Sequence, residues 1–442
     1  MNLVDSHGRP IVVVTGMGVV TSLGVGKAEN WAKLTAGQSG IRRIRRFSTE
    51  GLRTQIGGTV DFVLPPGFVP PDLSFALAEI AAQEAVEQAA VEGNGAFPGP
   101  LFIAVPPVEV DWSSREKLSA NLPADAPVTY RALIESSFGR RPDLQRLFLQ
   151  GGVADRIADR FGTRGSPVSI STACASGATA VQMGVEAIRR GETSAALSIG
   201  ADGSINCEAL IRFSLLSALS TKNEAPEEAC RPFSRDRDGF VMAEGAAALA
   251  LESLASAAAR GATILGVVAG CGERADSFHR TRSNPDGKAI IGAIQGALDD
   301  AGIAPEAVDY INAHGTGTPE NDKMEAFACN AVFGERMTRL PISSNKSMIG
   351  HTLTAAGAVE AIFSLMTIQH GLLPPTINYR NPDPSMALDV VANVARPAKV
   401  RTVMSNSFGF GGQNVSLVFQ AAPRGEAASS PVPAASPERL RR

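Results

Sequence analysis

Short runs rich in Val and Ile alternate along the chain with longer stretches whose apolar positions recur at helical spacing. Residues 11–14 (IVVV) read as a buried strand that ends in a Thr-Gly-Met-Gly turn, and residues 264–272 (ILGVVAGCG) repeat this strand-and-glycine unit. Further strands are expected at 194–199, 246–251, 308–312, 402–404 and 415–419. Helices are expected at 253–260, at 289–301 (closed by Gly302) and at 320–333. This alternation predicts an α/β architecture in which helices cover sheets.

Two segments match each other more closely. Residues 171–191 read STACASGATAVQMGVEAIRRG and residues 350–371 read GHTLTAAGAVEAIFSLMTIQHG. Each opens on small residues, carries a small-Gly-Ala pattern at Gly177 or Gly357, becomes an Ala-rich helix and stops at a glycine. Arg189 and Arg190 stand just before Gly191, where a helix C-terminus favours positive charge. Small side chains let two such helices approach closely, so the pair predicts an internal duplication with halves at 11–260 and 261–420. The stretch 106–151, opening on Pro106-Pro107, reads as an irregular insertion. The segment 421–442 is rich in Ala, Ser and Pro without apolar periodicity and is expected to be a disordered tail.

Composition narrows the function classes. A chain of 442 residues exceeds what one hydrophobic core supports. With 44% hydrophobic and 19% charged residues, it is neither a disordered nor a coiled-coil sequence. A net charge of −3 gives no reason to expect nucleic acid, although the run Arg42, Arg43, Arg45, Arg46 is a candidate dock for an acidic partner. No apolar stretch reaches membrane-spanning length and residues 1–10 are polar, so a cytoplasmic protein is expected. The five cysteines include no CxxC pair, which supports neither a disulfide framework nor a metal site.

The candidate chemistry starts at Cys174. It stands where the strand-like run 168–171 becomes a helix, and a thiol facing unpaired N–H groups and the positive end of a helix dipole is expected to have a lowered pKa. The same N–H groups suit an oxyanion. His314 leads into Gly315-Thr316-Gly317-Thr318, and His351 opens the second Ala-rich helix, so both lie at element ends among small residues. One thiol and two such histidines fit nucleophilic catalysis. His279 and His370 read as structural or peripheral, and His7 belongs to the terminus. Lys346 lies five residues before His351, and Asp322 or Glu325, one turn apart on the next helix, is a candidate partner for it. The segment 405–414 (SNSFGFGGQN) sets Phe408 and Phe410 among glycines, reading either as a turn or as a gate that swings a ring over the site.

An ordered set of segments resembles the β-ketoacyl-acyl-carrier-protein synthases of the type II elongating kind. These are VVVTGMGVVTSLG near the start, STACASG at Cys174, RPFSRDRDGFVMAEGA at 231–246, NAHGTGTPENDKMEA at His314, KSMIGHTLTAAGAVE with Lys346 and His351, and SNSFGFGGQN. The resemblance covers residues 11–419. It implies a thiolase-type fold, two duplicated halves in a five-layer α-β-α-β-α stack, and a homodimer without an organic cofactor or a required metal, although some such enzymes hold a monovalent cation. The implied reaction is a decarboxylating Claisen condensation. An acyl chain moves from its carrier protein to Cys174 and is then extended by two carbons from malonyl-acyl-carrier protein. By the same resemblance His314 and His351 stabilise the enolate, and Lys346 and Glu325 support them. The N–H groups of Cys174 and Phe410 form the oxyanion hole, Phe410 is also the gate, and Thr316 and Thr318 position the pantetheine arm.

The chain departs from that pattern at 101–110 and on to 151, at Ala243 and Ala247 where glycines are usual, and at HRTRSNPDG after Asp276. These departures suggest a specialised acyl chain. A thiolase would need a second cysteine, and 403–419 has none. An initiating synthase would carry Asn where this chain has His351. A chain-length-factor-like partner subunit would lack the nucleophile. A polyketide-type ketosynthase fits the same segments.

Overall fold

The computed structural model describes residues 2–64, 67–91, 96–107, 110–127, 129–137 and 149–423. Its centre is a 12-stranded mixed sheet among those residues. The strands used below are β1 (Val12–Thr21), β2 (Leu101–Ala104), β3 (Val168–Ile170), β4 (Ala195–Asp202), β5 (Gly245–Ser253), β6 (Gly266–Ala275), β7 (Tyr310–Asn312), β8 (Pro341–Ser343), β9 (Asp389–Val390), β10 (Thr402–Phe408) and β11 (Gln413–Gln420). Their order is β9-β8-β7-β10-β11-β6-β1-β5-β4-β2-β3, with the short Gly24–Val25 strand also on β1. The two halves of this path join only through Val13–Val267 and Val14–Gly266, so the sheet bends there into two layers.

Helices fill the remaining three layers: α1 (Pro70–Ala89) and α2 (Gly152–Phe161) on one outside, α3 (Ser176–Arg189) and α6 (Ala356–His370) in the middle, and α4 (Lys288–Ala301) and α5 (Pro319–Phe333) on the other outside. Side-chain alternation along β5 shows how the layers are sewn together. Ala247, Leu249 and Leu251 join the central core with α3 and α6. Ala246, Ala248 and Ala250 join the outer core with α1 and α2. Both faces are buried, which explains why β5 reads as a continuous apolar run. No helix among the described residues is long and apolar enough to cross a membrane.

Several expectations change. The Thr-Gly-Met-Gly segment is no turn, because β1 continues through it to Thr21. Its glycines make room for a helix: a Cβ on Gly16 would lie 1.9 Å from Ala85 O, and one on Gly18 2.0 Å from Ala81 O, both on α1. Gly270 and Gly272 of β6 do the same against α4, at 2.2 Å from Ala297 O and 2.1 Å from Ala293 O. The repeated unit is therefore real, and it encodes close strand–helix approach. The stretch 106–151 is not wholly irregular. Its described residues hold helices Trp112–Ser119 and Tyr130–Ser137, joined by a small core of Val110, Leu118 and Leu133. The expected disordered tail, from residue 424 on, lies outside the described residues.

The two central helices cross with almost no space between them. A Cβ on Gly177 would meet Ala358 N at 2.7 Å, and one on Gly357 would meet Ala178 N at 2.5 Å. Each helix is preceded by a 3-10 turn, Ala173–Ala175 or Leu353–Ala355. Each turn begins on a non-glycine residue in the left-handed region, Ala173 at φ 49° and Leu353 at φ 45°. Equivalent strain at equivalent positions marks the duplication more firmly than the letters do. Gly357→Ala is expected to cost ~1–3 kcal/mol despite the better helix propensity of Ala, because the nearest atom, Ala178 N, is backbone and must yield. Chemical denaturation of the variant against the native chain measures this loss.

Candidate active site

The 3-10 turn before α3 lifts Cys174 out of the sheet, and the matching turn before α6 places His351 opposite it. His314 arrives from the end of β7. The Cys174 sulfur and a ring nitrogen of each histidine all lie within 4.8 Å of one another. Sequence reading placed these three residues together, and the fold brings them together. They are also a donor set that a thiophilic cation would accept.

The hydrogen bonds fix the histidine tautomers. The backbone N–H of Leu353 donates to His351 Nδ1 at 3.2 Å, so the ring proton sits on Nε2. That Nε2 is buried without a partner among the described residues. Lys346 Nζ lies 3.4 Å from His314 Nδ1, and an ammonium can only donate, so His314 also carries its proton on Nε2. Burial holds both imidazoles well below their usual pKa. The Lys346 charge adds to this, as does His351 for His314. The site therefore presents two neutral N–H donors.

Lys346 is buried at 1% exposure and pairs with Glu360 on α6, not with Asp322 or Glu325 as the spacing suggested. Both of those acids are already committed. Glu325 accepts from the backbone N–H of His314 (2.9 Å) and Gly315 (2.7 Å) and from Asn406 (3.2 Å). Asp322 accepts from Phe233 N (2.7 Å) and Gly317 N (3.1 Å) and faces Arg237. Glu325 thus holds the turn that carries His314, while burial pushes its pKa up to about 7. Burial likewise raises Glu360 to about 7 against the pull of Lys346. Its Oε2 is buried without a partner among the described residues.

The thiol departs from expectation. Cys174 keeps partial exposure to the cavities, yet loss of solvation around its sulfur pushes the pKa up to about 11. The backbone N–H groups of Phe410 and Cys174 and the Lys346 charge pull the other way without prevailing. These same N–H groups converge on the sulfur, where an oxyanion of a thioester would sit.

Two cavities meet at this sulfur. One, about 470 Å³, is lined by both histidines, Thr316, Thr318 and the exposed His279 and Arg282. His279, read as peripheral, therefore lies on the approach to the thiol. Thr316 and Thr318 bond to each other at 2.8 Å, and Thr318 caps α5. The second cavity, about 350 Å³, is bordered mainly by apolar groups such as Val105, Pro106 and Val153. Cys174, Phe213, Leu216 and Phe410 line both, so Phe410 stands in the partition between them. Only residues 409–412 form the hairpin turn. Phe408 belongs to β10 and packs its ring on His314 at 5.8 Å.

Three residues escaped sequence reading. Phe240 packs edge-on against His351 at 5.2 Å, and Phe213 packs on Phe240 at 5.5 Å. Glu360 left a usable signal as a lone acid in the apolar run AGAVEAIFSLM. His370 stacks on Trp31 away from the site, and the Arg42–Arg46 run is partly spent, since Arg46 bonds buried Glu244 at 2.9 Å.

The Beta-ketoacyl synthase, N-terminal domain family matches residues 9–75 and 131–257, and the Beta-ketoacyl synthase, C-terminal domain family matches 265–380. The chain is 37% identical over 421 residues to 3-oxoacyl-(acyl-carrier-protein) synthase 2 of Coxiella burnetii, covering 92% of this chain and 98% of that one. It is 35% identical to the tetracenomycin polyketide synthase ketoacyl synthase alpha subunit of Streptomyces glaucescens, covering 92% and 96%. Among solved structures it is similar to the ishigamide ketosynthase/chain length factor, at TM-score 0.80 and 36% identity over 94% of this chain and 100% of that one. A type II polyketide ketosynthase in complex with its acyl-carrier protein matches at TM-score 0.82 and 32% identity over the same shares.

Two outcomes test the electrostatics. Because the thiol is raised, alkylation of Cys174 by iodoacetamide, followed residue by residue by mass spectrometry, should keep climbing past pH 9 instead of levelling near 8. Glu360→Leu leaves a buried charge on Lys346 and should cost roughly 3–5 kcal/mol in thermal unfolding, part of which Lys346→Met restores.

Proposed function

The chain belongs to the β-ketoacyl synthase family of acyl-transferring condensing enzymes, and from that premise we propose that it extends a Cys174-bound acyl chain by two carbons from malonyl-acyl-carrier protein. The observation that carries this reading is the pair of neutral Nε2–H donors facing one thiol at the junction of two cavities. In the first half-reaction Cys174 Sγ attacks the carbonyl carbon of an acyl thioester. The carrier's thiol leaves with the proton that Cys174 gives up, and the acyl chain occupies the cavity by Val105 and Val153. The backbone N–H groups of Cys174 and Phe410 hold the transient oxyanion.

The malonyl thioester then enters through the cavity that holds Thr316 and Thr318. Breaking its C–CO2 bond leaves an electron pair at C2 and negative charge on the thioester oxygen. His314 and His351 donate to that oxygen, so their bonds strengthen where charge develops. C2 attacks the Cys174 thioester, and the sulfur leaves and is reprotonated. Both act as neutral donors, because burial and the Lys346 charge disfavour an imidazolium there.

The same reading makes the carrier protein the partner, places the protein in the cytoplasm as a homodimer, and divides the chain at 260/261 into two thiolase-like halves. Support for pairing with a second copy comes from β3, an edge strand with Val168 exposed.

Intact-protein mass spectrometry with acyl- and then malonyl-carrier protein tests the mechanism. Cys174→Ala should take up no acyl group. His351→Ala should still be acylated while condensation falls roughly 10²–10³-fold. Equal loss of both steps in His351→Ala would overturn its assignment to the malonyl oxygen.

A further inference from the structure

We propose that Asp202 is a positioning residue for condensation: its carboxyl group clamps the strained turn Leu353–Ala355 to the end of β4 and so keeps the His351 proton on Nε2. The effect on condensation rests on the reading of His351 as a donor to the malonyl thioester oxygen.

The His351 ring takes its single hydrogen bond among the described residues at Nδ1, from the Leu353 N–H at 3.2 Å, and its Nε2 has no partner there. Phe240 and His314 pack edge-on against the ring, at 5.2 and 5.3 Å. Such packing sets the plane of the ring and is the same for either tautomer. The choice of tautomer therefore falls to the Leu353 N–H. That donor stands in a costly place, because Leu353 lies at φ 45°, where a bulky residue is strained. Relaxation of that φ would turn the peptide that carries the N–H, so the turn needs a restraint.

The first half restrains its matching turn from within. Ser176 Oγ accepts from Thr172 N at 2.7 Å and donates to Ala173 O at 2.6 Å. The second half has Ala356 where the first has Ser176, so it lacks this staple. Asp202 supplies the restraint from outside. Its Oδ2 accepts from Thr354 N at 3.2 Å and from Thr354 Oγ1 at 2.7 Å. Its Oδ1 accepts from Ser204 N at 3.1 Å and from Ser204 Oγ at 2.6 Å. The Thr354 hydroxyl also reaches Ala201 O at 3.0 Å. Ala201 and Asp202 pair in register with Ala246 and Gly245 of β5, so the anchor is the sheet itself. Asp202 is buried, and such a carboxyl group is unfavourable unless its hydrogen bonds offset the lost solvation. Here all four of them tie the turn to the strand end.

The full chain labelled with 15N-histidine reports the tautomer by NMR, with the His351 signals assigned by their loss in His351→Ala. The native protein should show Nδ1 as the unprotonated nitrogen. In Asp202→Ala the proton should spread over both ring nitrogens. Intact-protein mass spectrometry follows acylation of Cys174 and then its release by malonyl-carrier protein. In Asp202→Ala condensation should fall roughly 10–10²-fold more than acylation does, a smaller loss than in His351→Ala. Asp202→Asn keeps an oxygen for Thr354 and should recover most of both readouts. Thr354→Val removes one donor to the clamp and should move the tautomer part of the way, which serves if Asp202→Ala does not fold. An unchanged His351 tautomer in Asp202→Ala, or in Thr354→Val where the former does not fold, overturns the proposal, and so does equal loss of acylation and condensation. If His351→Ala condenses as the native chain does, the reading of His351 falls and the role of Asp202 in condensation falls with it.

Discussion

The reciprocal contact of Gly177 and Gly357 is the constraint on which the site depends. With no side chain at either position, backbone meets backbone at the crossing of the two central helices. That approach sets the two preceding 3-10 turns face to face, and those turns present Cys174 and the N–H that orients His351. Bulk at the crossing would move the thiol and the imidazole apart together. The glycine-bearing strands β1 and β6 extend the same economy of space outward to α1 and α4. The five layers are thus held at backbone distance around one point.

Electrostatics at that point combines loss of solvation with one buried cation, Lys346. Burial keeps both histidines neutral and Lys346 adds to this, fixes the tautomer of His314 and leans on the thiol, while Glu360 balances its charge. Glu325 contributes through geometry, by holding the backbone of the His314 turn. The division matters for reading substitutions. Loss of Glu325 loosens where His314 stands, whereas loss of Lys346 alters what His314 is.

Much of the element pattern was legible, because strands buried on both faces and Ala-rich helices closed by glycine leave strong local signals, as in 246–251 and 350–371. The candidate trio of Cys174, His314 and His351 was legible because each member sits at an element end among small residues. What the sequence could not disclose was tertiary. The Gly16 and Gly18 pair looks like a turn until a helix is laid against it. The partner of Lys346 depends on which acids the backbone has already claimed. The thiol's pKa depends on desolvation, which no local pattern carries, and it outweighed the helix-terminus effect expected from position alone. The stretch 106–151 seemed irregular because its helices are short and their cores small.

The strained turn at Leu353 has a further consequence. Thr354 holds the place in the second half that Cys174 holds in the first, and its hydroxyl is bound to Asp202 at 2.7 Å. The same elbow recurs there, with a tethered hydroxyl where the first half has its thiol. The N–H of neighbouring Leu353, in the same half, aims His351. The symmetric frame carries a division of labour, in which one repeat presents the thiol and the other presents the paired N–H donors. Neither half holds the complete site, so parting them would take the thiol away from both histidines.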